Sequence, residues 1–248
     1  MYRPFTVTWE AILPGDPRQV WDAITARCAA WIWEIDYEPR VGGAERGLSS
    51  GGGTVTAWEP PHHFETRAQR PDGWHNRIDY RLEPHADGTR VRYAHESVAD
   101  AADWERIYDE CVEHTDFYRH SLGAYVGHFA GRGAAYVGVD GDAAFADLSA
   151  ALGLPRDAAV GERVRLRAAG LPAIEGTIDY LTPTFLGVRA DDLLFRVYGR
   201  DRWGDPATIA LHLFDPAADA AALARGWREW LDAHVNEHAT SNSTEAVS

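Results

Sequence analysis

Gly53-Thr54-Val55-Thr56-Ala57-Trp58-Glu59-Pro60-Pro61, followed by Phe64 and Arg67-Ala68, is answered later in the chain by Gly176-Thr177-Ile178-Asp179-Tyr180-Leu181-Thr182-Pro183, followed by Phe185 and Arg189-Ala190. Each stretch reads as a strand, a proline turn and a returning strand. The flanks correspond in order: a helix led by Gly-Asp upstream, further strands downstream, and an amphipathic helix to close. The chain is therefore expected to hold two copies of one α+β unit, the second trimmed. Expected boundaries are 1–132 for the first domain, 133–237 for the second, degenerate one, and 238–248 for a polar, disordered tail.

Working outward, Asp16-Pro17-Arg18-Gln19 is a helix start, with Asp16 as N-cap and Gln19 placed to reach back. Trp31, Trp33, Ile35 and Tyr37 alternate with Ile32, Glu34 and Asp36, a two-residue strand period. Glycines from Gly42 to Gly53 predict a loop or hairpin. Ile78, Tyr80 and Leu82 alternate with charged neighbours, and Thr89 to Ser97 makes a further strand. A helix is predicted from about Asp103 to Phe129, its stripe running through Trp104, Ile107, Tyr108, Cys111, Tyr118, Leu122 and Tyr125. In the second copy, Asp142 is expected to cap a short helix carrying Phe145 and Leu148, and a closing helix follows from Ala217 to about Val235.

Composition narrows the function classes. A length of 248 residues, 45% apolar, with ten tryptophans, suits one large or two modest packed domains. The net charge is −14, every one of the 24 basic residues is arginine, and no basic face gathers them, so nucleic-acid binding is disfavoured. Neither a signal peptide nor a membrane span is evident, and Cys28 and Cys111 read as free thiols; a cytoplasmic location is expected.

Strand, short helix, antiparallel strands and a long last helix is the order of the helix-grip fold. The first copy resembles the START-like (SRPBCC) superfamily, in the branch similar to the activator of heat-shock-protein-90 ATPase. The likeness lies in Pro14-Gly15-Asp16-Pro17-Arg18-Gln19-Val20-Trp21, in Pro39-Arg40-Val41-Gly42-Gly43, in the run from Gly53 to Pro61, and in Asp87-Gly88-Thr89-Arg90-Val91. The family's closing helix often carries a Gly-Trp pair; the first copy has His114-Thr115-Asp116-Phe117-Tyr118 there, the second Gly226-Trp227. The resemblance implies an antiparallel sheet wrapped around the long helix, often with an apolar cavity between them, and members that bind lipids, sterols or polyketides, act as cyclases, or serve as co-chaperones.

A pocket of that kind, expected at roughly 300 Å3 or more, would be lined by Trp33, Tyr37, Tyr80, Tyr93, Tyr118, Leu122 and Tyr125, against the alternative that these side chains fill the core. His95 shares strand parity with Val91 and Tyr93 and should face inward, where the second copy has Leu213; it is the candidate for orienting a ligand or acting as a base. A core histidine satisfied by a carbonyl or a tyrosine is the plainer reading. Cys111, on the apolar stripe, reads as an inert thiol, and Glu110 with His114 and His62-His63 as solvated groups. His234-Val235-Asn236-Glu237-His238 matches an inverted zincin pattern, yet it ends a helix beside a polar tail and reads as chance. No catalytic set, metal or cofactor is expected.

The resulting expectation is a tandem helix-grip protein binding a small apolar ligand (lipid, polyketide or aromatic metabolite), non-enzymatic or weakly catalytic. Two alternatives stand beside it: a co-chaperone-like interaction module, and a cyclase or dehydratase using His95. A homodimer or a protein partner is left open.

Overall fold

In the computed structural model the chain divides into two compact units, Met1–Gly133 and Ala134–Ser248. The structure describes residues 1–245, with side chains described as far as Ala233. The expected tail at 238–248 and the His234/His238 pair thus fall outside the residues described in full.

The first unit runs β1 (Tyr2–Leu13), α1 (Pro17–Thr25), β2 (Asp36–Tyr37), β3 (Ala44–Arg46), β4 (Gly53–Glu59), β5 (His63–Gln69), β6 (His75–His85), β7 (Gly88–Asp100) and α2 (Trp104–His128). Its strands form one antiparallel sheet in the order β1-β7-β6-β5-β4-β3-β2, wrapped around α2. The second unit runs β8 (Ala135–Gly141), α3 (Phe145–Ala151), β9 (Arg163–Leu166), β10 (Ile174–Leu181), β11 (Phe185–Arg189), β12 (Leu193–Tyr198), β13 (Ala207–Leu213) and α4 (Ala220–Glu245). Its sheet order, β8-β13-β12-β11-β10-β9, repeats that of the first unit with one strand fewer. Strand, helix, a meander returning beside the first strand, and a closing helix therefore occur twice.

The repeated text has a structural meaning. In β4 and β5, Thr54 faces Arg67, and the register slips between Val55 and Ala57. In β10 and β11, Thr177 faces Arg189, and the register slips between Ile178 and Tyr180. Both sheets carry a β-bulge at the same point, with Thr56 or Asp179 as the extra residue. A bulge raises the local twist and bends its strand. The glycines ahead of it are required by closeness: a Cβ on Gly53 would lie 3.0 Å from the Arg67 carbonyl oxygen, and one on Gly176 2.5 Å from that of Arg189.

The start of α1 follows the sequence reading. Asp16 accepts from the Arg18 and Gln19 amides while Gln19 Oε1 accepts from the Asp16 amide, a complete capping box contributing about 1 kcal/mol. Two expectations fail. Residues 31–37 are not one strand: Cys28–Ala30 is a short 3-10 turn, and pairing begins only at Asp36. The Trp31 indole donates to the Ala23 carbonyl at 2.9 Å and the Trp33 indole to that of Gly47 at 2.8 Å. Ring anchoring, with Trp31 and Ile32 both buried, produced the spacing. Asp142 does not cap α3, whose first amide is met from outside the helix, by Asp201 Oδ1 at 3.1 Å from the Phe145 nitrogen.

The second unit has an apolar interior in which Phe195, Ile209, Leu211, Leu213, Trp227 and Trp230 join one cluster. Its bulge residue holds a buried ion pair: Asp179 accepts two bonds from the Arg196 guanidinium, at 2.9 and 3.0 Å, and Arg196 is fully buried. Two parallel bonds on a desolvated guanidinium offset much of its desolvation; removing the carboxylate leaves the cation uncompensated. Asp179→Ala is expected to destabilise the second unit by about 3–5 kcal/mol, read from urea unfolding, whereas Asp179→Leu combined with Arg196→Met should recover most of that loss.

Candidate functional site

The face of the first sheet that meets α2 is aromatic. Strand alternation turns Phe5, Val7 and Trp9 of β1 the same way. Trp9 stacks on Tyr93 with ring centroids 5.4 Å apart and meets Tyr80 edge-on at 6.4 Å, while Tyr80 and Tyr93 lie 4.9 Å apart. Together with Trp31, Ile32, Thr115, Tyr118, Arg119 and Leu122 these rings enclose a void of about 30 Å3. That is room for about one water molecule, an order of magnitude below an ordinary ligand pocket of ~300 Å3 or more. The expected preformed cavity is occupied by the side chains meant to line it. Its rim is formed by half-buried groups: Tyr118, set edge-to-face on Trp33 at 5.6 Å, and Arg119, paired with Asp116 at 3.1 Å.

A chain of polar groups runs beside the void. His95 faces inward, as its strand parity requires. Its Nε2 lies 2.5 Å from Asn76 Oδ1 and its Nδ1 3.2 Å from Cys111 Sγ. The Cys111 sulfur is also 4.0 Å from Thr115 Oγ1, and Asn76 donates its amide to Ser49 Oγ at 3.2 Å. Since Asn76 Oδ1 only accepts, the imidazole proton sits on Nε2, and Nδ1 is left to accept from the thiol. Burial holds His95 neutral, lowering it to about 4, and pushes the Cys111 thiol up to about 11. Both side chains keep partial solvent access.

The opposite face of the sheet carries charge. Arg77 donates to Glu65 at 2.5 Å, to Asp79 at 2.8 Å and to Glu96 at 2.6 Å, and Thr56 donates to Glu65 at 2.6 Å. Burial raises the Glu65 carboxyl, but the bonds from Arg77 and Thr56 outweigh it and bring it down to about 2. His63, Glu65 and Asp79 hold ligand atoms within 4.8 Å of one another. The Arg77 guanidinium already occupies the cation's place among them, so this cluster reads as an ion-pair network. His63 is thus half-buried, 3.3 Å from Asp79, in contrast to the expected solvated turn. His114 is likewise buried, its Nδ1 2.9 Å from the Glu110 carbonyl oxygen. Larger volumes, about 620 Å3 along Ala44–Arg46, Gly51–Thr54 and Arg67–Gln69 and about 360 Å3 beside Cys28 and Gly47, are surface grooves that do not reach the aromatic face.

The expected site residues therefore separate. Tyr80, Tyr93, Tyr118 and Leu122 wall the void, and His95 stands next to it. Trp33 backs Tyr118. Tyr37 packs edge-on against Phe64 at 4.8 Å, and the Tyr125 hydroxyl donates to the Arg132 carbonyl at 2.9 Å, so neither is among the void's lining residues. Missed were Trp9, legible from its parity with Phe5 and Val7, and Cys111, whose position on the helix stripe was legible but whose meeting with His95 was not.

Comparison with known proteins follows this division. Residues 15–127, inside the first unit, match the family model described as activator of Hsp90 ATPase homolog 1-like protein. No curated protein matches the chain. Among solved structures, protein MLL2253 from Mesorhizobium loti is 21% identical, covering 50% of this chain and 98% of its own, with a TM-score of 0.42. CalU16 from Micromonospora echinospora is 19% identical over 50% of this chain and 76% of its own, TM-score 0.40. The Aha1 dimer from Colwellia psychrerythraea is 19% identical over 49% of this chain and 96% of its own, TM-score 0.40.

The buried imidazole makes the first unit acid-sensitive. Its folded value lies near 4 against 6.5 unperturbed, so the unfolded chain binds the proton more tightly. Stability is then full above about pH 6.5 and declines as pH falls towards 4, by about 2–3 kcal/mol after allowance for partial solvation. Glu65 adds its own loss only between about 4.5 and 2. Urea unfolding of His95→Phe should show a flatter profile than the parent between pH 6.5 and 4.5.

Proposed function

We propose that the first unit, whose residues 15–127 match the Aha1-like family model, is a small-molecule binding module that takes up a flat, apolar, aromatic-sized ligand between its sheet and α2. The observation carrying this reading is the enclosed void among Trp9, Trp31, Tyr80, Tyr93 and Leu122, closed on one side by the half-buried Tyr118. The ligand enters by displacing Tyr118 from Trp33 and widening the void; it is not received into a ready-made cavity. Parting one edge-to-face pair costs about 0.5–1.5 kcal/mol, while burying ~150 Å2 of apolar ligand surface returns about 4 kcal/mol. Thr115 and Arg119 are the polar points that would orient the ligand. The second unit, with its apolar core cluster, serves as a structural companion.

A protein-docking role, in keeping with the activator named in the family's description, is the second reading. The small size of the void and the net charge of −14 favour it. It requires salt-sensitive association with a basic partner.

The two readings separate in a thermal-shift titration with naphthalene-sized aromatics and fatty acids, checked by native mass spectrometry. At ~100 times the dissociation constant a ligand of the folded state adds about 2.7 kcal/mol, which should delay melting of the first unit by about 5–10 °C. Tyr118→Ala should speed uptake several-fold. Absence of any shift across the panel, with salt-sensitive capture of a basic protein in its place, would transfer the conclusion to the docking reading.

A further inference from the structure

We propose that Cys111, His95 and Asn76 form a base-assisted nucleophilic thiol site, and that it takes soft carbon electrophiles, α,β-unsaturated carbonyl compounds, by conjugate addition. The geometry supplies three roles in one line: Cys111 Sγ as nucleophile, His95 Nδ1 as its base at 3.2 Å, and Asn76 Oδ1 at 2.5 Å from Nε2, fixing tautomer and ring plane. A thiol is activated by such an adjacent base oriented by a third group. Three elements brought together by the fold, strands β6 and β7 and the helix α2, build the set.

The reaction class follows from the surroundings. Cys111 sits in the second turn of α2, where backbone amides are committed to the helix, so its own element offers no free N–H pair to hold a tetrahedral oxyanion. Acyl transfer lacks its main stabiliser there. Conjugate addition places the developing charge on a carbonyl oxygen several atoms from the sulfur, and the walls near the thiol, Phe5, Val7, Ile107 and Tyr108, are apolar. In the step, Nδ1 takes the thiol proton as Sγ bonds to the β-carbon and the C=C electron pair moves to form an enolate. The imidazolium then returns that proton to the α-carbon. One S–C and one C–H bond replace one S–H bond and one C=C π bond, with no oxidant or reductant consumed.

Because burial disfavours both ions, the thiolate is scarce at neutral pH and attack has to proceed with the imidazole in place. Titratable groups near the pair are Tyr93 on β7 and Tyr108 and Glu110 on α2, with Tyr118 beyond Tyr93; β1 contributes Phe5 and Val7, and β6 contributes Asn76.

The test uses N-ethylmaleimide, itself an unsaturated carbonyl electrophile, on the native full chain, with modification at each cysteine followed by peptide mass. Cys28 is the internal reference, buried and with its thiol pushed up to about 12. Cys111 should react while Cys28 stays intact, at a rate varying less than about threefold between pH 6 and 8.5, where an unassisted thiol would climb about 300-fold. His95→Gln should slow the reaction at pH 7 at least tenfold and restore the climb, and Asn76→Asp should keep the flat profile. Far-UV circular dichroism checks that each variant is folded, and the wild-type pH profile needs no variant. A wild-type rate rising tenfold per pH unit, a Cys111 that resists modification until the protein is denatured, or a folded His95→Gln as fast as its parent would each overturn the proposal.

Discussion

A sheet that closes on a helix has to coil, and in both units the coil is concentrated at one inserted residue. Thr56 in β4 and Asp179 in β10 occupy the same bulge. Each also anchors a charge cluster: Thr56 donates to Glu65, which Arg77 holds, and Asp179 holds Arg196. The coupling is physical. A bulge leaves one residue outside the ladder, and a polar side chain there remains buried only if something satisfies it. In the second unit curvature and a buried ion pair thus meet at Asp179, whereas in the first Thr56 is exposed and touches the half-buried Glu65–Arg77 cluster from outside; the Gly-Thr-(Val/Ile) text ahead of each bulge is their shared sequence signature.

Given that curvature, the inner faces diverge. In the second unit Leu211, Leu213, Trp227 and Trp230 join one apolar cluster. In the first, His95 stands where the second has leucine, and its two ring nitrogens need partners that apolar packing does not supply. Asn76 and Cys111 supply them. The aromatic side chains of Trp9, Tyr80 and Tyr93 then pack closely enough to leave little more than the volume of one water. The polar chain and the near-closed interior thus belong to one solution: a dry surround keeps the imidazole neutral, and a neutral imidazole can remain in a dry surround.

Much of this was legible in the sequence. Strand parity placed His95 inward, heptad-like spacing placed Cys111, Tyr118 and Leu122 on one helix face, and Asp16 with Gln19 declared a cap that the structure contains. What was not legible depends on how elements lie against one another. Periodicity gives the face of β7 and the face of α2 separately; only the register of one over the other brings Sγ to Nδ1. The misreading of residues 31–37 has a different origin. Alternating aromatics report burial, and a segment tied down through its indoles, as Trp31 is to Ala23 and Trp33 to Gly47, buries rings without pairing its backbone. The failed Asp142 cap is of the first kind, since Asp201, distant in sequence, satisfies that helix start.

The comparison of the two units also bears on where chemistry can reside on this scaffold. Closing helices present their mid-sections to the sheet, so a reactive side chain there works without the free amides that a helix terminus would lend. Any activation has to come from a side chain on the facing strand, at the one position where strand and helix stripe meet. In the first unit that position holds a histidine backed by an amide; in the second, counting across the ladder from the shared bulge, the corresponding position is Leu211 and not the expected Leu213, and it carries no polar group. An inward histidine on the last strand and a cysteine on the helix stripe together set the first unit apart; both cysteines of the chain, Cys28 and Cys111, lie in it.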